Sequence, residues 1–142
     1  MISYVEVMSK QKMSKFMDKE HEGDYIVISI RAHDSNKLDI PINTESRIKD
    51  VVYFMFDDVT EGYENVITSE IALSIRDFVN KHKDTEDRLN LIVHCDAGKS
   101  RSAGVAGAIM KYLYNDDTPI FGSRQYYPNM TCYTKVLHAL FD

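Results

Sequence analysis

Apolar residues fall along this chain in short runs, and the spacing inside the runs switches between the periods of strands and helices. Ile2 to Met8 is rich in β-branched and aromatic residues and reads as a strand. Ser9 follows where a helix N-cap belongs, ahead of Met13, Phe16 and Met17 at helical spacing. Tyr25 to Ile30 and Val51 to Phe56 are two further β-rich runs, too short for stable buried helices, and read as interior strands. Arg31 to Asp50, between them, is polar, carries Pro41 and shows little periodicity, so it reads as a loop with room for one extended piece. Thr68 then caps a helix with Glu70 in its first turn and Ile71, Leu73, Ile75, Phe78 and Val79 on its apolar face. Leu89 to Val93 is a short strand. Ser102 to Tyr114 reads as a helix whose Ala103, Gly104, Ala106, Gly107 and Ala108 permit close packing. A last helix, about Met130 to Leu140, follows Pro128, which cannot continue a preceding helix. Strands alternating with helices predict an α/β fold: one domain over residues 1–142, with a mainly parallel central sheet of about four to five strands flanked by helices.

Size and charge narrow what such a domain does. With 142 residues and 44% hydrophobic content it can bury a real core. Twenty-two acidic against 17 basic residues give a formal charge of −5. No broad basic face is therefore expected for a nucleic-acid partner or for stable association with an anionic membrane, and any anion site must be local. Cys95 and Cys132 are the two cysteines, and the pattern of a secretory leader is missing, so a reduced, cytoplasmic setting is expected. The longest apolar stretch, Ala103 to Met110, falls far short of a membrane span.

The chemistry concentrates in His94-Cys95-Asp96-Ala97-Gly98-Lys99-Ser100-Arg101-Ser102. A cysteine and an arginine stand six positions apart in a turn that leaves a strand and enters a helix. Folded as a cradle, the backbone N–H groups of Asp96, Ala97, Gly98, Lys99 and Ser100 converge on phosphate oxygens, and the helix directs its positive end to the same point. Arg101 adds a planar fork that matches two phosphate oxygens at once. The same field favours the Cys95 thiolate, the nucleophilic form. Ser102 is placed to donate its hydroxyl to that sulfur, easing its departure from a phosphocysteine intermediate, and His94 is expected to orient the loop through a backbone hydrogen bond. A nucleotide-binding loop is excluded by Val93, which stands where that motif requires glycine.

This nine-residue stretch resembles the signature of the protein-tyrosine and dual-specificity phosphatase superfamily, and the support extends over roughly Val51 to Tyr114. In size the chain is similar to the compact dual-specificity group. The resemblance implies the cysteine phosphatase fold, a phosphocysteine intermediate, no metal or other cofactor, a phosphorylated protein as substrate, and an aspartate on a mobile loop as general acid. Phe54-Met55-Phe56-Asp57-Asp58 ends a strand where that loop begins in the family. The family's usual pattern selects Asp58 over Asp57, leaving Asp57 to loop shape. Lysine at position 99 resembles phosphoinositide phosphatases of the tensin type, although Asp96 replaces the second basic residue of that subgroup.

Other readings are weaker. Phosphoinositides or other non-protein phosphates are the main alternative substrates. A non-catalytic phosphoprotein-binding module would keep the cradle without the chemistry, and rhodanese-like domains lack a matching upstream acid. Tyr126, Tyr127 and Asn129 precede the last helix and could lean toward the site, but tyrosines near a turn more often pack against a helix, and the three are assigned no catalytic role. His21, His33, His82 and His138 lack the paired spacing of zinc ligands. Cys132 is expected to be buried on the last helix rather than to serve as a resolving thiol.

Overall fold

The computed structural model describes residues 1–43 and 47–142. Four strands, β1 (Ile2–Met8), β2 (Asp24–Arg31), β3 (Ile48–Met55) and β4 (Leu89–His94), form one sheet in the order β1-β4-β2-β3, with every pairing parallel. Five helices accompany them among the described residues: α1 (Lys10–Met17), α2 (Ser69–Lys83), α3 (Arg101–Tyr114), α4 (Thr118–Phe121) and α5 (Met130–Phe141). The α/β class, the parallel sheet and its strand number agree with the sequence reading.

Both faces of the sheet are covered, which is why β2 and β4 read as nearly continuous apolar runs. Ile26, Ile28 and Ile30 of β2 and Leu91 and Val93 of β4 point to one face, where Phe56, Ile75, Val79, Ile109, Val136 and Leu140 complete the larger core. Val27 and Ile92 point to the other, against Met13 of α1, Ile40 and Ile48. Full burial of each such side chain stabilises the fold by roughly 1.5–3 kcal/mol. Helix caps occur where the sequence placed them: Ser9 accepts from the Lys12 N–H and Thr68 from the Ile71 N–H.

Two differences from the sequence reading have local causes. The strand expected over Val51 to Phe56 runs from Ile48 to Met55. It is an edge strand with a half-exposed pattern, so its polar Lys49 and Asp50 hide the start. The short helix α4, led by Pro119, is too brief to show a period. The loop read over Arg31 to Asp50 carries an isolated antiparallel bridge between Asn43 and Ile48, while residues 44–46 of that reading lie outside the described residues.

The register sets the site. Met8 of β1 and Ser29 of β2 both pair with His94, the last residue of β4, so three strands deliver their carboxyl ends to one place. Ligands of parallel α/β sheets bind beyond such an edge, and the chain leaves β4 there into the 95–100 loop.

Candidate active site

Residues 95–100 form a tight loop between β4 and α3, and it is tied down from several sides. The Cys95 N–H donates to the Met8 carbonyl at 3.4 Å, and the Lys10 N–H donates to the Asp96 carbonyl at 3.1 Å. Gly98 adopts φ +69°, in the left-handed region that glycine alone enters freely. A Cβ there would lie 2.5 Å from the Ser9 nitrogen, so the loop rests directly on the β1–α1 junction.

Cys95 is 2% exposed, and its Sγ faces two donors. The Gly98 N–H lies 3.3 Å from the sulfur and the Ser102 hydroxyl 3.0 Å from it. This is the contact expected of Ser102. Arg101, 6% exposed, is held at both ends of its fork: one terminal nitrogen donates to the Phe56 carbonyl at 2.9 Å and the other to the Asp96 carboxylate at 3.1 Å. Its Nε is buried and has no partner among the described residues. A buried guanidinium N–H left without an acceptor is costly, and an anion in the loop supplies one. Asp96 thus orients Arg101 with its side chain, while its backbone belongs to the cradle. Ala97 and Lys99 are exposed at the rim.

His94 is buried, and burial holds its imidazole below the ordinary value, favouring the neutral ring. Nδ1 lies 3.2 Å from the Cys95 carbonyl, which only accepts, so Nδ1 carries the hydrogen. Nε2 then accepts from the Ser29 hydroxyl at 2.6 Å. His94 therefore ties the Cys95 carbonyl to the Ser29 hydroxyl through its ring.

The two aspartates after β3 have different surroundings. Asp57 receives the His33 N–H at 2.9 Å and lies 2.7 Å from its Nδ1. These bonds, the backbone one first, hold its carboxyl below the usual carboxylate range, and the same contact raises His33. Asp57 is thereby committed to the neighbouring loop. Asp58 turns the other way: its Oδ1 accepts the Ser100 hydroxyl at 2.7 Å and the Asn129 amide at 2.9 Å, which sets the carboxyl beside the 95–100 loop. Asn129 is the residue whose contact the sequence did not show. Its signal in the sequence was its place just before the last helix, from which it could lean toward the site; in the structure its Oδ1 also caps α5, accepting the Cys132 N–H at 3.0 Å. The Tyr127 and Asn129 N–H groups also donate to the Lys99 and Ser100 carbonyls, at 2.9 and 3.0 Å.

Cys132 is buried in α5, and burial pushes its thiol up to about 12, an inert state that fits packing rather than exchange chemistry. Among the described residues no cluster of three or more His, Cys, Asp or Glu side chains forms a metal site, and no helix is long and apolar enough to cross a membrane.

Comparison with known proteins places this architecture. A family model described as the Rit1 DUSP-like domain matches residues 68–137, from the cap of α2 into α5. The structure resembles that of PTPMT1 in complex with PI(5)P, with a TM-score of 0.58 at 14% identity over 97% of this chain and 90% of that one. It also resembles Tk-PTP in the active form, with a TM-score of 0.56 at 15% identity over 96% and 88% of the two chains. A third likeness is to the human tyrosine phosphatase-like serine/threonine/tyrosine-interacting protein, with a TM-score of 0.52 at 19% identity over 94% and 82%. No curated protein gives a significant match to the sequence. The chain has the fold of the cysteine-based phosphatases.

Proposed function

We propose that this protein is a cysteine-dependent phosphatase of the protein-tyrosine and dual-specificity type, acting on phosphotyrosine-type groups in proteins. The observation that carries the reading is the convergence of the Cys95 sulfur, its two donors and the partnerless Arg101 Nε on one loop at the sheet's carboxyl edge. Helix α3 begins at Arg101 and adds its positive end to that point.

In the first step the Cys95 thiolate attacks phosphorus, the S–P bond forms, and the bond to the leaving oxygen breaks as Asp58 gives that oxygen a proton. In the second step water attacks phosphorus and passes its proton to the Asp58 carboxylate. The S–P bond breaks and sulfur departs as a thiolate facing the Ser102 hydroxyl. Arg101 and the loop N–H groups carry the charge of the phosphoryl oxygens throughout. Neither step calls for a metal. The net charge of −5 disfavours docking on an anionic membrane, and the two free cysteines fit a reduced, cytoplasmic setting.

A phosphoinositide substrate is the second reading. Exposed Lys99 on the loop favours it, and PTPMT1, a structural neighbour, was captured in complex with PI(5)P. The deciding experiment measures phosphate release from phosphotyrosine peptide, phosphothreonine peptide and phosphoinositide, each with and without chelator. The proposal expects phosphotyrosine to lead and chelator to have no effect. Release from phosphoinositide alone would move the assignment to lipid, and no release from any substrate would leave a binding module.

A further inference from the structure

Among the described residues, β1 pairs with β4 on one side and with no strand on the other. Two hydrogen bonds show which of its main-chain groups face outward. The Met8 carbonyl accepts the Cys95 N–H, so Met8 points toward β4, and the alternation of a strand turns Val7 and Val5 away from it. The register shift between Ile2 and Tyr4 reverses that alternation, and the outward Ile2 carbonyl receives the Tyr114 hydroxyl at 2.9 Å. Val5 and Val7 therefore hold N–H and C=O groups along the edge that no described residue takes up. Unpaired groups in such a row are a template for another extended chain.

The surface beside this edge has room for side chains. Tyr4, Met110 of α3, Tyr114 and Pro119 of α4 line a hollow of about 310 Å³ toward the start of the strand. A second hollow, of about 230 Å³, follows toward its end, where Val7, Lys12, Gln125 and Tyr126 join Tyr4 and Pro119. Tyr4, common to both, is 58% exposed. The second hollow leads to the phosphate loop: the Tyr127 N–H, next along the chain from Tyr126, donates to the Lys99 carbonyl, and the Lys10 N–H, just past β1, donates to the Asp96 carbonyl.

Resting on the phosphatase reading above, we propose that the outer edge of β1 docks the phosphoprotein substrate as an added strand, pairing Val5 and Val7 with an extended segment that flanks the phosphotyrosine. Continuity selects this occupant. The groove ends at the loop that takes the phosphate, so a segment whose phosphotyrosine fills the loop continues along β1 without leaving the surface. Main-chain pairing supplies affinity that is tolerant of sequence, and the hollow between Tyr4 and Met110 adds a preference for a large apolar side chain. Met8 and Tyr4 are about 13 Å apart at roughly 3.3 Å per residue, which places that side chain about four to six positions from the phosphotyrosine.

Binding to Cys95→Ser protein tests the docking strand without turnover. Competition anisotropy compares three ligands: phosphotyrosine amide, a phosphotyrosine peptide with about six residues on each side, and that peptide N-methylated at one amide at a time. The extended peptide should bind at least about tenfold more tightly than the amide. N-methylation should weaken it at alternate residues of one flank only, about 2–12-fold at each, the loss of one main-chain hydrogen bond. Tyr4→Ala should raise Kd for the extended peptide, leave Kd for phosphotyrosine amide unchanged, and leave kcat/KM for p-nitrophenyl phosphate unchanged in protein that retains Cys95. Equal or unmeasurable Kd for the extended peptide and the amide would overturn the docking strand, as would N-methylation losses without alternation. Sedimentation showing a dimer that Tyr4→Ala dissociates would assign the edge to a second copy and overturn it as well. Alternating losses in Cys95→Ser protein, with no phosphate released from the peptide by protein that retains Cys95, would overturn the phosphatase reading and leave the docking strand standing.

Discussion

Replacing Gly98 by alanine tests how the phosphate loop is held, and its size can be worked from two observations. The backbone at Gly98 is left-handed, with φ +69°, which costs a residue bearing Cβ roughly 1–2 kcal/mol. The new methyl would also lie 2.5 Å from the Ser9 nitrogen, 2.7 Å from the Met8 carbonyl carbon and 2.9 Å from its oxygen. All three are backbone atoms, so no flexible side chain can yield, and overpacking of this kind costs roughly 1–3 kcal/mol. Gly98→Ala should therefore destabilise the protein by about 2–5 kcal/mol. For a chain of 142 residues the unfolding entropy is roughly 0.3 kcal/mol per degree, so Tm should fall by about 7–17 °C. The shift also moves the Gly98 N–H away from the Cys95 sulfur, so kcat should drop in the surviving folded protein. Gly62→Ala is the control, because φ there is +96° but nothing lies within 4 Å of the added carbon. Calorimetry on both variants isolates the overlap. Equal and small Tm shifts, with normal turnover by Gly98→Ala, would refute the claim that the loop is seated on the β1–α1 junction.

Arg101→Lys keeps the charge and loses the fork, removing two charge-assisted hydrogen bonds worth roughly 1.5–3 kcal/mol each, so kcat/KM should fall about 10²–10⁴-fold. Near-normal steady-state kinetics would remove Arg101 from phosphate binding. Burial depresses His94 below its ordinary value of 6.5, so near that pH the unfolded chain takes up a proton that the folded chain refuses. Stability should thus fall as pH drops from 6.5 toward the lower folded value and should not depend on His94 above it. His94→Asn should flatten that dependence in Tm measured across the acid range, and an unaltered profile would contradict the assignment. Lys99→Ala should leave phosphotyrosine turnover nearly intact and weaken any phosphoinositide turnover, read as the ratio of the two kcat/KM values.

What the sequence revealed depended on whether the relevant residues were neighbours along the chain. β2 and β4 are apolar runs buried on both faces, and α2 has a cap and a clean stripe, so local pattern was sufficient. β3 lies at the sheet edge, where most of its residues are only partly buried and Lys49 and Asp50 mask its start. The phosphate loop is contiguous, so its cysteine, arginine and serine could be read directly. The contacts that make it a site come from elsewhere: Phe56 on Arg101 across 45 positions, Ser29 on His94 across 65, and Asn129 on Asp58 across 71. No spacing rule encodes these, because they arise only when the parallel register brings strand ends together. Family pattern points to Asp58 rather than Asp57, whereas the contacts that distinguish the two carboxylates, His33 on Asp57 and Ser100 on Asp58, are tertiary.

The central claim is that Cys95 forms a covalent bond to phosphorus. Mixing the protein with a radiolabelled phosphotyrosine peptide, quenching within a single turnover and mapping the label by peptide digestion tests it directly. The account predicts transient label on the peptide containing Cys95, formed before free phosphate appears and absent in Cys95→Ser, which should still bind phosphate because the loop N–H groups remain. Phosphate released with no covalent label at Cys95, or turnover retained by Cys95→Ser, would contradict it.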